Sequence, residues 1–135
     1  MNFDLNEDQQ AFVDAAREFA LSEMAPNAAK WDEDSHFPVD VIKATGELGF
    51  LGLYSPEEFG GLGLSRLDAS LIFEEMSKHC TSTTAFLTIH NMCAWMLTSF
   101  GSEKLASDWG TKLTSGELLA SYCLTEPSHG SDAGH

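Results

Sequence analysis

Apolar residues recur at helical spacing along most of this chain and switch to strict alternation near its C-terminal end. Phe12, Ala15, Ala16 and Phe19 fall at i, i+3, i+4 and i+7, one face of a helix, with Asp14, Arg17 and Glu18 on the other side. Asn6 and Gln9 ahead of them match a capping box, with Leu5 as the apolar residue outside it. Pro26 suits a first helical turn better than an interior and marks a break. Pro38 starts the next helix, with Val39, Val41 and Ile42 turned inward and Gly46 and Gly49 at its end. Residues 50–54 read as a short apolar linker. Ser65 is a good N-cap, Asp68 suits the first turn, and Ala69, Ile72, Phe73 and Met76 make the apolar face of the helix that follows.

Residues 82–100 contain no helix breaker and predict a second helix close behind. Its Phe86, Leu87, Ile89, Met92, Cys93, Trp95, Met96 and Leu97 point in nearly every direction, so protein must cover it on nearly every side. Ser102 caps a short helix with Leu105 and Trp109 one turn apart, ending near Gly110. After the turn Ser115-Gly116-Glu117, Leu118, Ala120, Tyr122 and Leu124 alternate with Leu119, Ser121, Cys123 and Thr125, the period of a strand. Pro127 stops regular pairing, and Ser128-His129-Gly130-Ser131-Asp132 supply hydroxyls and a pliable backbone for a ligand loop. One strand does not make a sheet, so this stretch reads as the opening of a further unit.

Composition narrows the partners. The 135 residues are 43% hydrophobic, as expected of a folded domain, and carry a net charge of −14. That charge repels phosphate backbones and anionic lipid surfaces, which argues against nucleic acid or membrane as a partner. Cys80, Cys93 and Cys123 are odd in number and widely spaced, so a reducing compartment is expected. The acidic start of the chain resembles neither a signal nor a transit peptide, so the cytoplasm is expected, with a processed mitochondrial-matrix form as the alternative. Residues 79–102 lack Asp, Glu, Lys and Arg, but their many Ser, Thr, His and Asn positions fit a buried helix, not a bilayer span.

Four clusters invite chemistry. Gly60-Gly61-Leu62-Gly63 lacks the third glycine of a dinucleotide fingerprint and the Lys-Ser/Thr of a P-loop, so it reads as a structural turn. His90 and Cys93 share a helix face, but a zinc site needs four ligands and no motif spacing supplies the others, so no metal is expected. Glu74 and Glu75 point about 100° apart on a helix and read as solvated, with Glu74 beside Lys78. Ser128, His129, Ser131 and Asp132 have the residue types of a hydrolase triad but are neighbours on one loop. Ligand capture by hydroxyls and backbone at a strand end is the better reading.

Tyr122-Cys123-Leu124-Thr125-Glu126-Pro127, with Gly130-Ser131-Asp132 after it, resembles the flavin-binding signature of the acyl-CoA dehydrogenases. Leu5-Asn6-Glu7-Asp8-Gln9, Leu48-Gly49-Phe50-Leu51-Gly52 and Glu58-Phe59-Gly60-Gly61-Leu62-Gly63-Leu64-Ser65 match the family in the same order. Cys80-Thr81-Ser82-Thr83-Thr84-Ala85 and Ile89-His90-Asn91-Met92-Cys93-Ala94-Trp95-Met96 resemble its isobutyryl-CoA dehydrogenase branch. The resemblance implies a mainly α chain: residues 1–117 as the family's N-terminal helical domain, and 118–135 as the first strand of its middle β-domain. It implies FAD, an acyl-CoA substrate, electron-transferring flavoprotein as electron acceptor and a homotetramer at full length. Tyr122, Cys123, Leu124, Thr125, Gly130 and Ser131 would contact FAD, Thr125 near the isoalloxazine and Ser131 where cofactor and thioester meet. The catalytic glutamate of the family matches no residue here and is expected in the C-terminal domain. Ser128 and His129 depart from the family's usual glycine and small residue, which puts a positive φ or a close backbone approach in question. A non-catalytic helical module that pairs with a full-length subunit is the alternative expectation.

Overall fold

The computed structural model describes residues 4–134; the outer ends of the two expected units, residues 1–3 and 135, lie outside them. Six α-helices carry the described residues: α1 (Glu7–Phe19), α2 (Ala28–Glu33), α3 (Val39–Ala44), α4 (Arg66–Ser77), α5 (Thr81–Phe100) and α6 (Glu103–Thr114). The helices α1 and α4, α4 and α5, and α5 and α6 pack against one another in sequence. The capping box of Asn6 with Gln9 forms, and the N-cap Ser65 makes a second one with Asp68. The Gln9 side chain also donates to Asp68 (2.8 Å), which ties the starts of α1 and α4 together. At the far end of α1 the backbone widens into a π-turn, Ala20–Met24, before Pro26, where an α-helical N–H is unavailable.

The core joins Ala16, Ala20, Met24, Ile42, Ala69, Ile72, Met76 and Leu87 to Phe50, Leu51 and Leu53. Residues 50–54 are therefore no linker. Phe50, Leu51 and Leu53 are at most 1% exposed, and each contributes about 1.5–3 kcal/mol of burial. The glycine cluster exists to bring a second segment against them. Leu62 N–H donates to Gly52 O (2.8 Å), Gly63 N–H to Ser55 O (3.1 Å) and Leu64 N–H to Leu53 O (2.8 Å). A Cβ on Gly61 would collide with the Ser55 carbonyl, so the structural reading of this cluster holds.

Four local expectations change. Val39 is 39% exposed, and of the three positions in α3 only Ile42 is fully buried. Helix α6 runs through Gly110 to Thr114, because a glycine there lets Phe59 and Thr98 approach within about one side-chain radius of its backbone. Glu75 is 5% exposed and not solvated: Arg17 Nε (2.9 Å) and Lys78 Nζ (2.6 Å) donate to its carboxylate. The Lys78 bond, then the Arg17 bond, hold its pKa below the usual carboxylate value. Glu74 is the exposed one. Finally, residues 118–125 form no strand, because no described segment offers a ladder to pair with.

Helix α5 is organised by two polar residues at its centre, His90 and Asn91, both 0% exposed. Asn91 accepts from Leu53 N–H (2.8 Å) and donates to Phe50 O (2.8 Å) and Leu87 O (2.9 Å). His90 Nε2 lies 3.0 Å from Leu113 O, and Nδ1 accepts from Ala120 N–H (3.1 Å). An Nδ1 that accepts fixes the neutral tautomer with the proton on Nε2. Burial lowers the His90 pKa, which keeps the ring neutral. Ile89 and Phe100 stay 38% and 74% exposed, so the outer face of α5 is indeed uncovered. Among the described residues no helix is long and apolar enough to cross a membrane.

Two outcomes follow. Replacing Asn91 with Leu keeps the branching of the side chain but orphans Leu53 N–H and Phe50 O, so urea denaturation should show a loss of about 2–4 kcal/mol. His90 is held neutral, whereas an unfolded histidine titrates near pH 6.5. Below that value the unfolded chain binds a proton that the folded chain refuses. The stability contributed by His90 is therefore complete above about pH 6.5 and lost as pH falls. Thermal melts between about pH 7.5 and 5.5 should show that slope, and His90→Gln should reduce it.

Candidate functional site

The site expected from the sequence begins where α6 ends. Gly116, at φ 79°, turns the chain, and Leu118 N–H donates to Lys112 O (2.9 Å). Lys43 Nζ donates to Glu117 O (3.3 Å), and Leu119 packs against the core. Ala120 is tied to His90. From Ser121 to Ser128 every residue is exposed. Among the described residues, no hydrogen bond reaches the backbone of residues 121–125 or the hydroxyls of Thr125 and Ser131.

Residues 126–129 close a tight turn. Glu126 N–H donates to His129 O (2.9 Å) and His129 N–H to Glu126 O (3.2 Å), with Pro127 at the first corner, where its fixed φ fits. Ser128 and His129 both keep negative φ, since Ser35 is the single non-glycine residue with positive φ among those described. The departure from glycine at Ser128 thus imposes no backbone strain. A Cβ on Gly130 would meet nothing within 4 Å, so its approach is open as well.

The predicted residues sit together on this one segment. Tyr122 and Leu124 are 42% and 48% exposed. Burial first, and then the charge of Cys123, raise the thiol pKa of Cys93 on α5. Thr125, Gly130 and Ser131 are exposed on either side of the 126–129 turn. The Ser128 hydroxyl is 2.9 Å from His129 Nδ1, a contact between neighbours in open solvent. His90 is no candidate metal ligand, because both of its ring nitrogens already face protein groups. Sequence reasoning missed His90 and Asn91 as anchors. The available signal was their spacing: both lie three or four residues from Leu87 and Ala94, on the stripe of α5 that is buried.

Chemically, residues 121–125 present unpaired backbone amides, and Thr125 and Ser131 unpaired hydroxyls, at the edge of the helical unit. They can donate several hydrogen bonds to a planar, acceptor-rich ligand, and Gly130 leaves room for close contact. Thr125 and Ser131 add adjustable donors. No Lys or Arg lies on residues 118–134.

The model of the family described as acyl-CoA dehydrogenase, N-terminal domain, matches residues 6–117. The mitochondrial isobutyryl-CoA dehydrogenase of Bos taurus is 50% identical over 129 residues, which is 96% of this chain and 31% of that protein. The corresponding protein of Dictyostelium discoideum is 51% identical over 130 residues, again 96% of this chain and 31% of that one. The chain thus spans about a third of the length of these curated relatives. A glutaryl-coenzyme A dehydrogenase in complex with glutaryl-CoA superposes with a TM-score of 0.90 at 34% identity, over 98% of this chain and 35% of that one. An acyl-CoA dehydrogenase of Bacillus anthracis complexed with FAD gives a TM-score of 0.84 at 32% identity, over 96% of this chain and 22% of that one. By fold, by sequence and by the extent of the match, this chain belongs to the acyl-CoA dehydrogenase family and carries its N-terminal domain.

Proposed function

We propose that residues 1–117 are the N-terminal helical unit, and 118–135 the opening of the middle β-unit, of an FAD-dependent acyl-CoA dehydrogenase acting on a short branched acyl-CoA such as isobutyryl-CoA. The observation that carries this reading is the tethered segment whose residues 121–125 are exposed and, among the described residues, have unpaired backbone amides, with the unpaired hydroxyls of Thr125 and Ser131 beside them. The names of the relatives support the substrate class, and the Bacillus anthracis complex supports the cofactor.

The residues fit FAD as one wall of its site. Backbone groups of Tyr122, Cys123 and Leu124 would meet the cofactor, with the Thr125 hydroxyl donating to the isoalloxazine edge. Gly130 leaves space for close approach, and Ser131 would stand where cofactor and acyl-CoA thioester meet. Bound FAD supplies the hydride acceptor for α,β-dehydrogenation. This chain contributes binding and orientation; proton abstraction belongs to a glutamate that matches none of its residues. Electron-transferring flavoprotein as electron acceptor, valine catabolism, a homotetramer, and the cytoplasm or mitochondrial matrix complete the proposal.

The 135-residue chain alone should bind FAD weakly and turn over no isobutyryl-CoA. Titrating FAD into the isotope-labelled chain should move the amide resonances of residues 122–131 selectively, approaching saturation only at roughly millimolar FAD. Shifts elsewhere, or none, would reject the site. A stoichiometric yellow complex with turnover would reject the weak-binding statement.

The exposed Ile89, Phe100, Leu105 and Trp109 support a second reading, a helical module that pairs with a larger subunit without catalysis. Light scattering after size exclusion separates the two: a clean monomer at high concentration counts against the docking module.

A further inference from the structure

We propose that His90 is the positioning residue of the ligand-facing segment, fixing through Nδ1 the point at which residues 121–125 leave the helical unit. Its value for flavin binding rests on the function proposed above; its effect on the backbone does not.

The tethers of this segment end at Ala120. Lys43 holds Glu117, Lys112 holds Leu118, and His90 holds Ala120. Beyond that point, among the described residues, no hydrogen bond touches the backbone until Glu126 pairs with His129. Tyr122 stands two residues past the tether, within about 7 Å of chain. Removing the tether therefore frees the backbone immediately upstream of every proposed flavin contact. Small displacements of this kind matter, because misplacing a binding group by about 1 Å is enough to cost catalysis heavily.

The chemistry calls for histidine. One side chain must donate to Leu113 O and accept from Ala120 N–H on its two sides. Neutral imidazole does both from a single rigid ring. The ring is fully buried, and Phe86 packs 6.0 Å from it, which limits its rotation. Leu113 lies in the last turn of α6 and Ala120 just ahead of residues 121–125, so His90 fixes the exit of the chain from α6 from both sides.

Two substitutions divide these contacts. In His90→Asn the Oδ1 atom takes the place of Nδ1 and keeps an acceptor for Ala120 while losing the donor to Leu113. In His90→Gln the amide nitrogen takes the place of Nε2 and keeps the donor to Leu113 while losing the acceptor. Each removes one hydrogen bond, so a purely structural role predicts similar consequences. Positioning predicts an asymmetry. In His90→Gln, exchange of the Ala120 amide should accelerate by about tenfold or more, and the amide resonances of residues 121–125 should move. In His90→Asn both should stay close to the unsubstituted chain. The FAD response of residues 122–131 should weaken several-fold in His90→Gln alone.

Equal effects in the two variants would overturn the proposal, as would a fast-exchanging Ala120 amide in the unsubstituted chain. That last measurement needs no variant, so a misfolding substitution leaves the proposal testable. If the unsubstituted chain shows no FAD response, the flavin reading falls, while exchange at Ala120 still decides the role of His90.

Discussion

The structure depends on a pair of polar side chains placed where a helix would ordinarily carry leucines. His90 and Asn91 are buried at the centre of α5 and together bond to Phe50, Leu53, Leu87, Leu113 and Ala120. Buried polar atoms without partners are costly, so the loss of any one of these contacts is felt. That makes α5 a spindle. The irregular segment around residues 50–54 hangs on Asn91, and the exit of α6 hangs on His90. An apolar pair would contribute comparable burial but would leave the backbone of both irregular segments unsatisfied.

The remaining irregular backbone follows the same logic. Residues 52–55 and 61–64 satisfy one another across the glycine cluster, so the core includes a loop without stranding its amides. Gly61 is required by the nearness of Ser55, not by any ligand. Glu75 extends the pattern to charge: a buried carboxylate is tolerated because Arg17 from α1 and Lys78, just past the end of α4, both reach it.

Legibility in the sequence follows contact range. The caps at Asn6, Ser65 and Ser102 and the apolar faces of α1 and α4 depend on residues within about one or two helical turns, and all were readable. Asn91 acts on Leu53 across 38 positions, and Arg17 on Glu75 across 58, so local pattern could not assign them. The apolar run at residues 50–54 reads as a linker by length and as core only once Asn91 is in place. Gly110 reads as a helix stop, and only the packing of Phe59 and Thr98 turns it into a helix interior. At the candidate site, the motif located the segment and its hydroxyls. The tether that aims it came from a histidine 30 positions away.

Charge constrains what the segment can hold. The chain has seven Lys and Arg residues, and each is engaged elsewhere. Arg17, Lys30, Lys78 and Lys104 pair with carboxylates. Lys43 holds the Glu117 carbonyl, Arg66 lies between the Tyr54 and Trp95 rings, and Lys112 lies over Trp109. A phosphate brought to residues 121–131 would meet amides and hydroxyls within a chain of net charge −14, with no Lys or Arg on the segment. Neutral acceptors suit this wall better than a pyrophosphate does. On the proposed reading, the segment therefore faces the flavin ring system and the thioester, and the phosphates of both ligands are met by groups outside it. The absence of positive charge then has a use: it leaves the amides as the local field, aimed by one neutral histidine and unscreened by a mobile lysine.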